Sequence, residues 1–599
     1  MAETKTPNTN AEQLITEHLD IWTTAIEQKS SSGRGSSKKF SLHGIKKLRE
    51  LILELAVRGK LVPQDPSDEP ASVLLERIAA EKAQLIKDKK IKLPKALPEI
   101  SEDEKPFELP DSWEFARFND LGEWGAGSTP RRGNIEYYNG SIPWFKSGEL
   151  NSDYISESEE HISELALKET SVRYNNIGDV LVAMYGATIG KTSILSVRAT
   201  TNQAVCACTP FNGFKNTFLL MLLKASKPRL IGMGAGGAQP NISREKIINT
   251  VIALPPTLEQ HRIVAKVDEL MSLCDALEAQ TENSITAHQT LVEVLLEALL
   301  KAPEQTATPE QATAQFQQNW QRLSEHFDTL FSTTASIDTL KQTILQLAVM
   351  GKLVPQNPND EPAAKLLELI AAEKAQLIKD KKIKKQKPQP EITDEEKPFE
   401  LPEGWEWVRF ASISNEVATG PFGSMIHKRD YIENGVPLIN PSHMINSKIK
   451  EDLAITVNKD KANELRSYKL FENDIVMARR GEMGRCALVT KREEGWLCGT
   501  GSFVLRFNRI LSREYILLMF KTNYVRGYLG GESIGTTMTN LNHGILNKMP
   551  LLLPPLEEQH RIVAKVDELI ALCDQLQARL TDAQTTKFHL TDAIVEQAS

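Results

Sequence analysis

Cysteine and aromatic side chains are both scarce in this chain: its 599 residues include six cysteines, and Phe, Trp and Tyr make up 6%. No CxxC pair and no His/Cys cluster occurs, which excludes a disulfide framework and a zinc finger or ribbon. Cys206 and Cys208 stand two apart and read as a strand feature. Long apolar runs are missing too. The longest, such as Phe218 to Leu223, fall far short of the roughly 20 residues of a membrane span. The opening MAETKTPNTN carries no apolar signal core, so a cytoplasmic protein with no membrane contact is expected. A third absence is a surplus of positive charge, since 71 Lys and Arg against 79 Asp and Glu leave −8 overall.

The composition, 41% hydrophobic and 25% charged, is that of a folded chain long enough for about three to five modules. Internal repetition organises them. LRELILELAVRGKLVPQDPSDEPASVLLERIAAEKAQLIKDKKIK, from Leu48, returns from Leu340 with about three-quarters of its residues unchanged. DEKPFELPDSWEFARF has its counterpart in DEEKPFELPEGWEWVRF, and LPPTLEQHRIVAKVDELMSLCDALEAQ, from Leu254, in LPPLEEQHRIVAKVDELIALCDQLQAR, from Leu553. The chain is a tandem duplication of a unit of about 300 residues. Between the matched blocks, residues 111–253 and 403–552 share only a thin skeleton: GDVLVAMYGATIGKTSIL against NDIVMARRGEMGRCALV, and QPNISREKI against MTNLNHGIL, which sets Asn241 opposite Asn540.

MYGATIGKTS, from Met184, imitates a phosphate-binding loop, but one residue is missing between its glycines and the second copy reads G-E-M-G-R. A phosphate loop must open a helix, and no helical period follows either turn, so both read as hairpins tipped by Lys191 or Arg485. GMGAGGAQP, from Gly232, meets G-x-G-x-x-G without the preceding strand or the later acidic residue. Trp144 and Phe145 follow a strand-like apolar pattern and belong to the core.

Helices fill the matched blocks. Ile263, Val267, Leu270, Cys274 and Leu277 recur in alternating steps of four and three, as do Ile562, Val566, Leu569, Cys573 and Leu576, a coiled-coil seam. From Thr257 to about Leu300 such a helix measures about 65 Å at ~1.5 Å per residue. KDKKIKLPK (from Lys87) and KDKKIKKQK (from Lys379) read as solvated helix ends or, alternatively, as phosphate-contacting arms, and Ala302 to Gln315 as a surface linker. The two variable segments contain 14 basic and 14 acidic residues, and 20 and 16, so the shared blocks carry the negative balance. A DNA-binding role then requires basic residues focused on one face or neutralisation supplied by partners.

Paired variable segments, each closed by a helix such as LPPLEEQHRIVAKVDEL, together with GKLVPQ...DEP, LPEGWEWVRF, GSTPRRG, IPWFKSGEL and TNQAV, resemble the specificity subunit of type I restriction-modification systems, in its longer form with an extended amino-terminal region. The second variable segment departs further, having no TNQAV. The resemblance implies an α+β fold with two mixed α/β target-recognition domains, separated by long antiparallel coiled-coil helices about a pseudo-twofold axis. It divides the chain into an amino-terminal helical repeated region (1–110), recognition domain 1 (111–255), a central coiled-coil helix (256–301), a linker with the second repeated region (302–402), recognition domain 2 (403–554) and a carboxy-terminal coiled-coil helix (555–599). It implies a non-catalytic chain that reads an asymmetric bipartite site on double-stranded DNA. Two methyltransferase subunits using S-adenosylmethionine and two restriction/translocase subunits using ATP and Mg would be its partners. No [DNS]-P-P-[YF] motif and no nuclease constellation is present, in keeping with catalysis elsewhere. The expected DNA-binding residues are Arg131, Arg132, Lys146, Thr188, Lys191, Asn202, Gln203, Gln239 and Asn241 in the first domain. In the second they are Lys428, Arg429, Arg479, Arg480, Arg485, Thr537, Asn540 and Asn542. A coiled-coil scaffold and a stand-alone DNA-modifying enzyme are the alternatives: the first predicts no sequence-dependent binding, the second binding of S-adenosylmethionine or ATP.

Overall fold

The computed structural model describes residues 11–28, 40–93, 97–234, 240–301, 309–482, 484–531 and 541–598. Two compact units emerge, residues 1–284 with 583–599, and residues 285–582. Each long helix, Thr257–Leu300 and Leu556–Ala598, begins in one unit and ends in the other. Among the described residues no helix is long and apolar enough to cross a membrane.

In the first unit the runs VLVA (Val180–Ala183) and TSIL (Thr192–Leu195) are buried along their whole length, as strands covered on both faces must be. They pair antiparallel as the predicted hairpin and sit in a five-stranded sheet ordered Gly122–Ala126, Val205–Pro210, Val180–Ala183, Thr192–Leu195, Tyr154–Ile155. Cys206 and Cys208 lie inside Val205–Pro210 as packed side chains, and burial pushes the Cys206 thiol up to about 12. Helix Asn216–Ala225, which contains the apolar run Phe218 to Leu223, packs between strand Thr192–Leu195 and the repeated helix His43–Val57.

The second unit repeats this plan with the sheet Ser414–Thr419, Ser502–Phe507, Ile475–Ala478, Cys486–Leu488 and with helix Arg513–Lys521 against Thr334–Val349. In both units the strand leading into the variable segment pairs with the strand leading out: Glu114–Arg117 with Val251–Leu254, and Glu406–Arg409 with Pro550–Leu553. The segment therefore begins and ends at one place.

The apolar stripes of the long helices are buried, with Ile263, Val267, Leu270 and Cys274 in the first and Ile562, Val566 and Cys573 in the second. The repeated helices run along them. Arg49 bridges to Asp275 at 2.7 Å and Glu278 at 2.8 Å, and Lys341 to Asp574 at 2.6 Å. Farther along the first long helix, Val292, Leu296 and Leu299 join the second unit's core, yet no residue between Thr281 and Leu291 is buried.

One expectation changes. Of the segment read as a linker from Ala302 to Gln315, the described part is helical: Pro309–Glu325 is an α-helix, because proline suits a first turn and Ala, Gln and Glu are good helix formers. The lysine runs close helices Ala71–Lys87 and Ala363–Lys379, with Lys89 and Lys381 both in the left-handed region at φ 57°. Cations suit that end of a helix, as the reading of these runs as solvated helix ends expects.

Candidate nucleic-acid interface

The retained motifs meet at one joint in each unit. Glu259, at the start of the first long helix, is fully buried and accepts hydrogen bonds from Trp113 Nε1 (3.1 Å) and Gln64 Nε2 (3.2 Å). Its counterpart Glu558 accepts from Trp405 (3.0 Å) and Gln356 (3.1 Å). Burial raises both carboxyls above the usual range. The following glutamines reach the variable domain: Gln260 accepts from the Lys215 backbone N–H at 3.2 Å, and Gln559 from that of Ser512 at 3.3 Å, each just ahead of the domain's apolar helix. Arg262 pairs with Asp68 and Arg561 with Asp360, both at 2.5 Å. Gly351, at φ +66°, closes the repeated helix where an added Cβ would lie 2.4 Å from Pro402 and 3.1 Å from Trp405. The retained motifs GKLVPQ, DEP, the tryptophan of DSW and EGW, and EQHR thus fasten a variable domain to its long helix.

A second clasp closes the domain. Arg117 binds Glu104 at 2.9 Å and the Asn249 carbonyl at 2.7 Å, and Arg409 binds Glu396 at 2.6 Å and the Lys548 carbonyl at 2.5 Å. The guanidinium beside each glutamate holds its carboxyl down to about 2. The joint also predicts a stability effect. Trp405→Phe leaves buried Glu558 one charge-assisted bond short, a loss of about 1.5–3 kcal/mol. Calorimetry should record a melting point of that unit lower by roughly 2–5 °C. An unchanged melting point would mean that water replaces the indole.

In the first variable domain the hairpin turn is a short 3-10 element, Gly186–Thr188, between glycines at φ +60° and +78°. The strand Thr192–Leu195 follows it directly, so it is no phosphate loop. Lys191 is not free at the tip: its Nζ donates to Asn151 Oδ1 at 2.6 Å. Thr188 donates to the Tyr185 carbonyl at 2.7 Å, and Asn202 accepts from the Ala204 N–H at 3.1 Å. Arg132 pairs with Glu160 at 2.5 Å beneath Tyr138 and Trp144, and Lys146 with Glu159 at 2.8 Å and Glu160 at 3.1 Å. Trp144 and Phe145 are core residues. Arg131, Gln203 and Asn241 are exposed; the Arg131 guanidinium has no partner among the described residues, and Gln203 accepts from Thr129. Asn241 forms a backbone bridge to Tyr185. Gln239 lies outside the described residues.

In the second domain Lys428 and Arg429 project from the exposed turn Lys428–Asp430 with no ion pair among the described residues. Arg485 is paired with Glu482 at 2.5 Å. Arg479 stacks on Phe503 at 4.9 Å, and burial with the neighbouring Arg480 lowers its pKa. Asn542 caps helix His543–Lys548, accepting from the Ile545 N–H at 3.0 Å, as Ser243 caps Arg244–Ile248 in the first domain. Thr537 and Asn540 lie outside the described residues. Of the expected cations, then, Arg131, Lys428 and Arg429 are unpaired among the described residues, while Arg132, Lys146 and Arg485 carry acidic neighbours that residue counting along the sequence does not reveal.

The family described as type I restriction modification DNA specificity domain matches residues 110–287 and 402–583. The type I restriction enzyme EcoAI specificity subunit of Escherichia coli is 40% identical over 98% of this chain and 100% of its own length. The EcoEI specificity subunit of the same organism is 38% identical over 98% and 99%. The crystal structure of the HsdS subunit from Thermoanaerobacter tengcongensis superposes with a TM-score of 0.38 at 18% identity, covering 83% of this chain and 98% of that one.

Proposed function

Because this chain belongs to the family of type I restriction-modification DNA specificity subunits, which are non-catalytic, we propose that its two variable domains each read one part of an asymmetric bipartite DNA site. The observation carrying this is the contrast within the duplication: both copies build the same joint from Trp, Gln and Glu, yet present different side chains beyond it. Two methyltransferase subunits holding S-adenosylmethionine and two translocase/nuclease subunits using ATP and Mg supply the chemistry, in the cytoplasm. This chain chooses where they act. Its domains are those expected from the duplication, with recognition domains at 111–255 and 403–554. The paired cations Arg132, Lys146 and Arg485 exchange carboxylates for phosphates on binding, which suits a chain that is acidic overall.

The test is to map methylated adenines in cells expressing this chain with its methyltransferase subunits. A motif of two specified parts around an unspecified spacer is expected, and methylation without such a motif would sink the proposal. The unpaired cations give a second measurement. Lys428→Ala combined with Arg429→Ala should weaken binding uniformly across sequences and lower the slope of log affinity against log salt by about 2. A changed motif with an unchanged slope would assign these residues to base reading instead.

A further inference from the structure

The two variable domains share a backbone frame around one locus. In the first, the Met184 N–H donates to the Ala204 carbonyl at 2.8 Å and the Ile242 N–H to the Met184 carbonyl at 2.9 Å. In the second, the Arg479 N–H donates to the Gly501 carbonyl at 2.8 Å and the Leu541 N–H to the Arg479 carbonyl at 3.1 Å. The frame extends to the neighbouring strand, where the Asn202 N–H reaches the Phe145 carbonyl at 3.0 Å and the Gly499 N–H the Ile439 carbonyl at 2.9 Å. These bonds bring the glycine hairpin, the turn ahead of the central strand and the start of the short capped helix to one spot. They also set Tyr185 against Arg480, Gln203 against Thr500, and Arg244 against His543.

The frame is common, while the side chains at these three paired positions differ. In the first domain Tyr185, Gln203 and Arg244 surround a concavity of about 600 Å³ floored by Met184 and Ile242. The Tyr185 hydroxyl and the Gln203 amide group donate to nothing among the described residues. Arg244 spends its guanidinium on weak contacts, 3.4 Å to the Trp124 carbonyl and 3.3 Å to Glu245. In the second domain Arg479 stands where Met184 stands in the backbone frame. It lies on the Phe503 ring, whose other neighbour His543 sits 5.3 Å away and is 3.1 Å from Thr419 Oγ1. Fixed backbone with variable polar side chains is what sequence discrimination requires, since base edges are told apart by donor and acceptor pattern. Core positions behave oppositely, as the matching strands VLVA and IVMA do.

We infer that this locus is the base-reading site of each variable domain, with Tyr185, Gln203 and Arg244 determining specificity in the first and Arg480, Thr500 and His543 in the second. The inference rests on the DNA-reading function proposed above and adds the residues that perform it, four of which, Tyr185, Arg244, Thr500 and His543, are not among the DNA-binding residues expected from the sequence. The Tyr, Gln and Arg of one locus and the Arg, Thr and His of the other would recognise different bases, making the two half-sites unlike.

The test uses the full chain co-expressed with its methyltransferase subunits, mapping methylation for the wild type, Gln203→Ala, Arg244→Ala and His543→Ala. All three side chains are exposed, and melting curves check folding; Gln203→Glu, which keeps the side chain's length, is the second variant should an alanine melt early. Gln203→Ala or Arg244→Ala should relax discrimination at a base of one half-site by about tenfold or more and leave the other half intact, while His543→Ala should do the reverse. Uniformly weaker methylation with an unchanged motif is the signature of phosphate contacts and would overturn the inference, as would no change at all. If the wild type itself yields no two-part motif, the failure lies with the proposed function and not with this locus.

Discussion

Inserting a single residue between Gln280 and Leu291 is expected to abolish site-specific methylation. The first long helix carries Ile263, Val267, Leu270 and Cys274 into one unit's core and Val292, Leu296 and Leu299 into the other's. One added residue turns the far stripe by about 100° and advances it by about 1.5 Å, so apolar residues at one end face water. Seven added residues turn it by only about 20° in total, while advancing it by about 10 Å, close to three base pairs. The second long helix also begins in one unit and ends in the other, so the heptad is added to both helices and their lengths stay matched. Matched heptads, one between Gln280 and Leu291 and one between Arg579 and Leu590, should restore methylation at a spacer about three base pairs longer with both specified parts unchanged. The sites chosen contain no buried residue, so the cores at either end are untouched. Methylome mapping decides the matter, and an active matched variant that kept its original spacer would show that the helices do not set the distance.

Replacing residues 111–253 by the corresponding segment of a relative should change one part of the recognised site completely and the other not at all. The physical ground is closure: Glu114–Arg117 pairs with Val251–Leu254, so the graft enters and leaves through one two-stranded ladder. What the graft must bring is an arginine at the position of Arg117, because its guanidinium ties Glu104, outside the segment, to the Asn249 carbonyl within it. It must also offer a backbone N–H where Lys215 meets Gln260. A hybrid in which both parts of the motif changed, or neither, would refute independent reading by the two domains.

The duplication, the helical stripes, the hairpins and the family were legible in the sequence because each is a pattern along the chain, a period or a repeat that needs no knowledge of what lies opposite. Buried Ile263, Val267, Leu270 and Cys274, and the strand following Gly190, are where periodicity put them. Lys191, Arg132, Lys146 and Arg485 show the limit. As letters they are free cations. Folded, each meets an oxygen from elsewhere in the chain or across a turn, such as Asn151 for Lys191 and Glu160 for Arg132. Glu259 and Trp113 stand 146 residues apart, and Glu558 and Trp405 153 apart. No local spacing links such residues; only closing the domain brings them within hydrogen-bond reach. Local order is written in neighbours, whereas which charges remain unpaired, and which side chains converge on a site, depends on contacts that exist only after the chain has folded.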